Sequence, residues 1–315
     1  MRILVTDGMD KTAMAQLREQ GHEVVEQFYE PDQLGAALRD FDVAVVRSKT
    51  KVRKEHIDAA IGGKLKMIIR GGVGVDNIDV DYAKANGIDV KNTPRASSQS
   101  VAELAMGHMF ACARYLSIAG HTMREGKWEK KAYGKGIELQ GKTLGIVGFG
   151  RIGQRVGELG RAFKMNIVAY DPYLPAHVFE EQQATSMGID ELLKVSDFVT
   201  IHMPLTPETK DLFNAKSLAE MKDDAVVLNM ARGGIVNEQD MYEALKAGKI
   251  GGYASDVMEN ELAGGGLTEG AGFDSPLFEC ENFLVSPHLG AQSTDASRDI
   301  GAHIIAKVKE ALNLG

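Results

Sequence analysis

Short apolar runs rich in β-branched residues alternate along the chain with longer stretches whose apolar residues recur every three or four positions. Runs at 3–6, 23–26, 43–47, 67–70 and 89–92 have the length and composition of strands. Between them, 12–20, 32–38, 54–61 and 79–86 carry helical spacing, with Gly21 and Gly87 placed as helix C-caps. This alternation is that of parallel βα units, so about the first 95 residues predict one small doubly wound α/β domain. A second series begins at residue 143, with strands at 143–147, 167–170, 198–202, 225–229, 253–256 and 283–286. Helices are expected between most of these, notably at 151–163 and 237–247, and six strands with helical crossovers make a dinucleotide-binding sheet. Residues 98–125 predict one long helix passing between the two series, and 295–312 a closing helix. The stretch 263–272, AGGGLTEGAG, is too glycine-rich for regular structure and is expected to be a mobile loop.

A chain of 315 residues suits two domains, each with its own core. The net charge of −8 argues against nucleic acid or an anionic membrane as partner. No apolar run approaches the roughly 20 residues needed to span a bilayer, and the opening residues read as a strand rather than a signal peptide. Cys112 and Cys280 are too few for a disulfide framework and read as small core hydrophobes in a reducing compartment. The expectation is a soluble cytoplasmic protein with no nucleic-acid, membrane or metal partner.

The chemistry starts at Gly148-Phe149-Gly150-Arg151-Ile152-Gly153, which leaves a strand and opens a helix. Gly148 permits the tight turn, Gly150 lets backbone approach a pyrophosphate, and Gly153 lets the helix pack close, its N-terminal amides facing the anion. The next strand ends in Asp171, 18 positions beyond Gly153, where a carboxylate would take ribose hydroxyls. A carboxylate there repels a 2′-phosphate, so the expected cofactor is NAD rather than NADP. Arg232, Glu261 and His288 each follow a later strand of the same series. Open α/β sheets bind ligands at the carboxyl ends of their strands. Arg232 is placed to fork onto a carboxylate. His288 has the side chain suited to taking a hydroxyl proton as hydride leaves an alcohol, and a carboxylate beside it would favour its protonated form.

With these residues the chain resembles the D-isomer-specific 2-hydroxyacid dehydrogenases, and within them is most like the short-form enzymes acting on D-3-phosphoglycerate. The resemblance is carried by Gly71-Gly72-Val73-Gly74-Val75-Asp76-Asn77, Asn92-Thr93-Pro94, Val101-Ala102-Glu103-Leu104 and Gly126-Lys127-Trp128. To these it adds the Gly-rich turn with Tyr170-Asp171-Pro172, His202-Met203-Pro204-Leu205-Thr206-Pro207, Asn229-Met230-Ala231-Arg232-Gly233-Gly234 and Ser286-Pro287-His288-Leu289-Gly290. The family implies a Rossmann NAD domain, 98–291, inserted into a flavodoxin-like substrate domain, 1–97 with 292–315, the active site lying in the cleft between them. It implies Arg232, Glu261 and His288 as the catalytic trio. It assigns Gly148, Gly150, Arg151, Ile152, Gly153, Asp171, His202, Ala231 and Asp256 to the cofactor, Asp256 as partner of the nicotinamide amide. Gly72, Val73 and Gly74 fall to the substrate carboxylate, and Arg47 and Arg70 to a substrate phosphate.

The expected activity is therefore NAD-dependent oxidation of D-3-phosphoglycerate at C2, entering serine biosynthesis, in a homodimer formed through the NAD domain. The alternatives are reduction of glyoxylate or hydroxypyruvate, another D-2-hydroxyacid, and a non-enzymatic NAD-sensing scaffold like the corepressors of this fold. Formate dehydrogenase is disfavoured because it pairs its histidine with Gln rather than Glu. With no regulatory domain after Gly315, serine feedback through one is not expected. Three departures stand out: Ser97 where the family has Asn, Leu262 in place of a proline after Glu261, and a longer Gly-rich stretch before Ser275. The second leaves Glu259 as a competitor for the role of Glu261, though the spacing from Asp256 favours Glu261.

Overall fold

A computed structural model describes residues 1–261 and 272–312; most of the Gly-rich stretch 263–272 thus lies outside the described residues. The chain divides into two compact units, Met1–Ser100 with the segment from Ala291 onward, and Val101–Gly290.

The first unit holds β1 (Arg2–Val5), β2 (Glu23–Glu26), β3 (Val43–Val46), β4 (Met67–Arg70) and β5 (Asp89–Asn92). All pair in parallel, in the order β2-β1-β3-β4-β5, which is the flavodoxin-like winding. Alternate side chains of a strand point to opposite faces, and both faces here are covered. Ile3, Val5, Val43, Val45, Met67 and Ile69 pack with Leu17, Ile300, Ile304 and Val308. Leu4, Ala44, Val46 and Ile68 pack on the other face with Leu34, Leu38 and Ile57. The closing helix Thr294–Ala311 thus belongs to this core. Gly301 lets it lie against the Lys11–Glu19 helix, since a Cβ there would stand 2.7 Å from that of Ala13.

The second unit holds β6 (Thr143–Val147), β7 (Asn166–Tyr170), β8 (Thr185–Ser186), β9 (Phe198–Ile201), β10 (Val226–Asn229), β11 (Gly252–Ser255) and β12 (Phe283–Val285). They form one parallel sheet ordered β12-β11-β10-β9-β6-β7-β8. The order reverses between β6 and β9, the switch point at which Rossmann sheets bind dinucleotides. The two-residue β8 adds an edge strand to the six expected. Its sequence, Thr185-Ser186, is too short and polar to announce itself.

The single helix expected over 98–125 is two helices, Ser98–Arg114 and Leu116–Arg124. Tyr115 between them has φ +55°, and a left-handed residue cannot continue a right-handed ladder. No Gly or Pro marks the break, so the apolar periodicity runs through it. Val101, Ala105, Met106 and Met109 of the first helix pack with Leu144, Ile146, Phe198 and Leu228 under the sheet. Cys112 borders this core and Cys280 lies in the opposite one; burial pushes the Cys112 thiol up to about 12, so it stays protonated.

If the closing helix completes the first unit's core, Ile304→Ala should lower that unit's stability in urea unfolding by about 2–5 kcal/mol. A loss below about 0.5 kcal/mol would show that Ile304 is not packed there.

Candidate active site

Three glycines of the turn after β6 each answer a different steric demand. At Gly148, φ +92°, a Cβ would stand 2.7 Å from the His202 carbonyl, so the ends of β6 and β9 approach only over a bare backbone. At Gly153 a Cβ would come within 2.2 Å of Gly148 O, and its absence lets the Arg151–Ala162 helix close on the strand. At Gly150 a Cβ would meet nothing within 4 Å, and no side chain caps the helix it precedes. The first-turn amides are thus left to another acceptor, and no acidic residue stands in that turn to oppose an anion. Arg151 is exposed at its first position and Ile152 half-buried.

Asp171, just past β7, braces this turn. Its Oδ2 accepts from Phe149 N at 3.0 Å and its Oδ1 from Tyr173 N at 3.1 Å. A carboxylate oxygen has two lone pairs, so both oxygens keep capacity for ribose hydroxyls. His202, at the end of β9, shares a 2.8 Å hydrogen bond between Nε2 and Thr200 Oγ1. Its Nδ1 is enclosed without a protein partner, and burial drops its pKa to about 3, keeping the ring neutral at pH 7. The vacant space at Gly150, the uncapped amides and the unpartnered Nδ1 fit a dinucleotide. Arg151 and Ile152 follow β6, Asp171 follows β7, His202 follows β9 and Ala231 follows β10, all at carboxyl strand ends of this sheet.

The next strand end carries Arg232. Asn229, fully buried, holds the turn by donating from Nδ2 to Arg232 O at 2.9 Å and accepting from Ala231 N at 3.1 Å. Arg232 Nη1 donates to Ala231 O at 2.7 Å. A Cβ on Gly233 would stand 2.1 Å from Met258 O, so glycine is what lets the Arg232 turn lie against the segment leading to Glu261.

Glu261 ends a 3-10 turn, Glu259–Glu261, and its Oε1 lies 3.3 Å from His288 Nδ1. Glu259 is turned away: it accepts from Glu238 N at 3.0 Å, while Glu238 accepts from Glu259 N at 2.7 Å. Burial, with the nearby charges of Glu259 and Glu261, raises the pKa of Glu238. Of the two candidate carboxylates, therefore, Glu261 is the one that faces His288.

His288 itself has φ +53°, a left-handed conformation uncommon outside glycine. Asp256, only 3% exposed, holds the surrounding turn. Its Oδ1 accepts from Leu289 N at 2.7 Å and Ser286 Oγ at 2.5 Å, and its Oδ2 from Gly290 N at 2.7 Å. The sequence reading gives Asp256 to the nicotinamide amide. The structure adds that most of its hydrogen-bonding capacity is spent on the His288 turn, with one Oδ2 lone pair to spare. Sequence reasoning gives no role to Ser286, Asn229 or His108: the first two stand within motifs that carry the resemblance, and the contact between His108 and Ser286 spans 178 positions and leaves no local signal.

In the first unit, Gly72 takes φ +145°, and a Cβ there would fall on the Arg70 guanidinium. Arg70 Nη1 donates to Gly71 O at 3.0 Å. A Cβ on Gly71 would stand 3.6 Å from Arg47 Cγ, so both arginines pack on this loop. Asn92 Nδ2 donates to Val73 O at 2.6 Å and Thr93 N to Gly72 O at 3.0 Å, fixing it from β5; Val73 is exposed and Gly74 half-buried. Asp7 accepts from Arg47 N, Thr50 N and Thr50 Oγ1 at 2.7, 3.0 and 2.6 Å, and Asn77 Nδ2 donates to Arg47 O at 2.6 Å. Burial lowers the pKa of Arg47, opposed by the charge of Asp7. Ser97 is buried, its hydroxyl without a protein partner.

Residues 106–290 match the family D-isomer specific 2-hydroxyacid dehydrogenase, NAD binding domain. The chain is 44% identical over 313 residues, 99% of its length, to D-3-phosphoglycerate dehydrogenase of Methanocaldococcus jannaschii, of which it spans 57%. It is 43% identical over 314 residues to hydroxypyruvate reductase of Thermotoga maritima, covering 99% of each. The chain thus spans a little over half the length of the first relative and nearly all of the second. Among solved structures, D-lactate dehydrogenase of Aquifex aeolicus, complexed with NAD and lactic acid, superposes with a TM-score of 0.83 at 28% identity, over 99% of this chain and 97% of that one. With more than half of its residues matched to that family and a 43% identical relative covered almost throughout, the chain belongs to the D-isomer-specific 2-hydroxyacid dehydrogenases.

Proposed function

We propose that the chain interconverts a D-2-hydroxyacid and its 2-keto acid with NAD, that its substrate is D-3-phosphoglycerate, and that it serves serine biosynthesis. The observation that carries the reading is the His288–Glu261 pair, in the same unit as a Gly-rich turn built for a dinucleotide. NAD, held at residues 148–153 and by Asp171, supplies the acceptor for the hydride that leaves C2. His288, with Nδ1 toward Glu261, takes the hydroxyl proton on Nε2 and returns it in the reverse direction. The Glu261 carboxylate stabilises the imidazolium so formed. Arg232 forks onto the substrate and polarises the reacting oxygen.

Two arginines packed on the Gly71-Gly72 loop support an acid with a second negative charge. In this reading, the amides of Gly72, Val73 and Gly74 take the carboxylate, and Arg47 and Arg70 the phosphate. The exposed side chains of Leu116, Met123 and Trp128 support a homodimer formed through the second unit. No described helix is long and apolar enough to cross a membrane, and the paucity of cysteines supports a cytoplasmic location. A second reading, reduction of hydroxypyruvate, is favoured by the near-complete match to the T. maritima enzyme of that name.

Replacing His288 with Ala should lower kcat by about 100- to 10,000-fold while NADH affinity, read by fluorescence titration, stays within about twofold. Loss of NADH binding would contradict the role given to His288. Turnover of 3-phosphohydroxypyruvate beside hydroxypyruvate separates the two substrate readings. Arg47→Ala should cost the phosphorylated substrate about 10- to 100-fold in kcat/KM, as expected for a charge-assisted contact, and spare the other. An equal loss on both substrates would show that Arg47 does not read a phosphate.

A further inference from the structure

Asp256 does not act alone on the His288 turn. Behind it, Ser286 Oγ lies 2.5 Å from Asp256 Oδ1 and 3.0 Å from Nε2 of His108. His108 stands on the Ser98–Arg114 helix, is 6% exposed, and places Nδ1 2.9 Å from Leu104 O. The protons of this chain can be counted. A carbonyl oxygen only accepts, so His108 Nδ1 donates to Leu104. The Ser286 hydroxyl has one proton, and the 2.5 Å contact with a carboxylate oxygen that already accepts from Leu289 N uses it. Ser286 Oγ then offers His108 only a lone pair, and Nε2 must donate as well. A ring that donates at both nitrogens is an imidazolium, one hydroxyl removed from a buried carboxylate.

We propose that His108 is a positioning residue for His288. Protonated at both ring nitrogens, it fixes Ser286 and, through it, the Asp256 carboxylate that holds the Leu289 and Gly290 amides. The left-handed turn carrying His288 is thereby tied to the Ser98–Arg114 helix. The positive ring compensates the charge of Asp256 inside the unit, and the serine fixes which way the carboxylate faces. A neutral ring would leave two lone pairs opposed, at Nδ1 and Leu104 O, at Nε2 and Oγ, or at Oγ and Oδ1, so every neutral form loses one hydrogen bond of this chain. The inference rests on reading His288 as the group that takes the substrate proton, and it extends that reading to a residue whose side chain is shut away from solvent.

Long-range ¹H–¹⁵N correlation spectra of the whole protein, labelled at histidine and assigned with His108→Gln, test the proton count directly. At pH 7.5 the His108 ring should show both nitrogens protonated; one bare nitrogen would overturn the proposal. In steady-state kinetics, His108→Leu should lower kcat by about 10- to 100-fold, the scale of a small misplacement of a reacting group, and leave the KM for NADH within about twofold. His108→Gln, whose amide can donate to Ser286, should recover most of the loss. Wild-type kcat in the Leu variant, or no recovery with Gln, would overturn the positioning role. Should His288→Ala keep its turnover, the reading of His288 falls. Should that variant be inactive while His108→Leu is fully active, only the present inference falls.

Discussion

A buried carboxylate needs donors, and Asp256 draws three of them from the turn that carries His288. An unpaired charge at that depth would cost several kcal/mol, so the bonds to Ser286, Leu289 and Gly290 are conditions for Asp256 to be there at all. They also set the turn. A left-handed residue other than glycine costs about 1–3 kcal/mol and persists where its surroundings over-determine it. His288, with φ +53°, is such a residue. Two adjacent amides bound to one carboxylate leave the backbone before them little freedom, and this directs the imidazole toward Glu261. The requirement to satisfy a buried charge and the requirement to aim a base are met by the same hydrogen bonds.

Similar economy governs the neighbouring strand ends. Asn229 spends both ends of its amide on the Arg232 turn, and Gly233 gives up a side chain so that this turn and Met258 can touch. Glu238 and Glu259 exchange carboxylate-to-amide bonds in both directions, which settles the Glu259–Glu261 turn and leaves Glu261 to face His288. Parallel strands make this possible because their carboxyl ends all open on one edge of the sheet. Loops contributed by β6, β9, β10, β11 and β12 are thus neighbours although far apart in sequence.

Local patterns carried most of the fold into the sequence. The strand runs and the Gly-rich turn could be read from residues within about ten positions of each other, because pleat, helix period and glycine sterics act at that range. What escaped was set at longer range or by exception. Tyr115 breaks a helix with no Gly or Pro to announce it. The edge strand β8 is too short for any period. Spacing from Asp256 already favoured Glu261 over Glu259; what it could not show is the part of Glu238, some 20 residues away, whose carboxylate captures the Glu259 amide. The donors of Asp256 lie about 30 residues downstream, and no residue type at 256 tells which amides will reach it. Candidate residues and their expected roles could thus be read from the sequence, and the contacts that hold them in place could not.

The central claim is that this chain moves hydride from C2 of a D-2-hydroxyacid while His288 takes the proton. The most direct measurement is mass spectrometry of the reduced cofactor after turnover of D-3-phosphoglycerate deuterated at C2, in ordinary water. Deuterium carried into NADH is the predicted result. NADH formed without the label, or no reduction with this or any other D-2-hydroxyacid, would contradict the account.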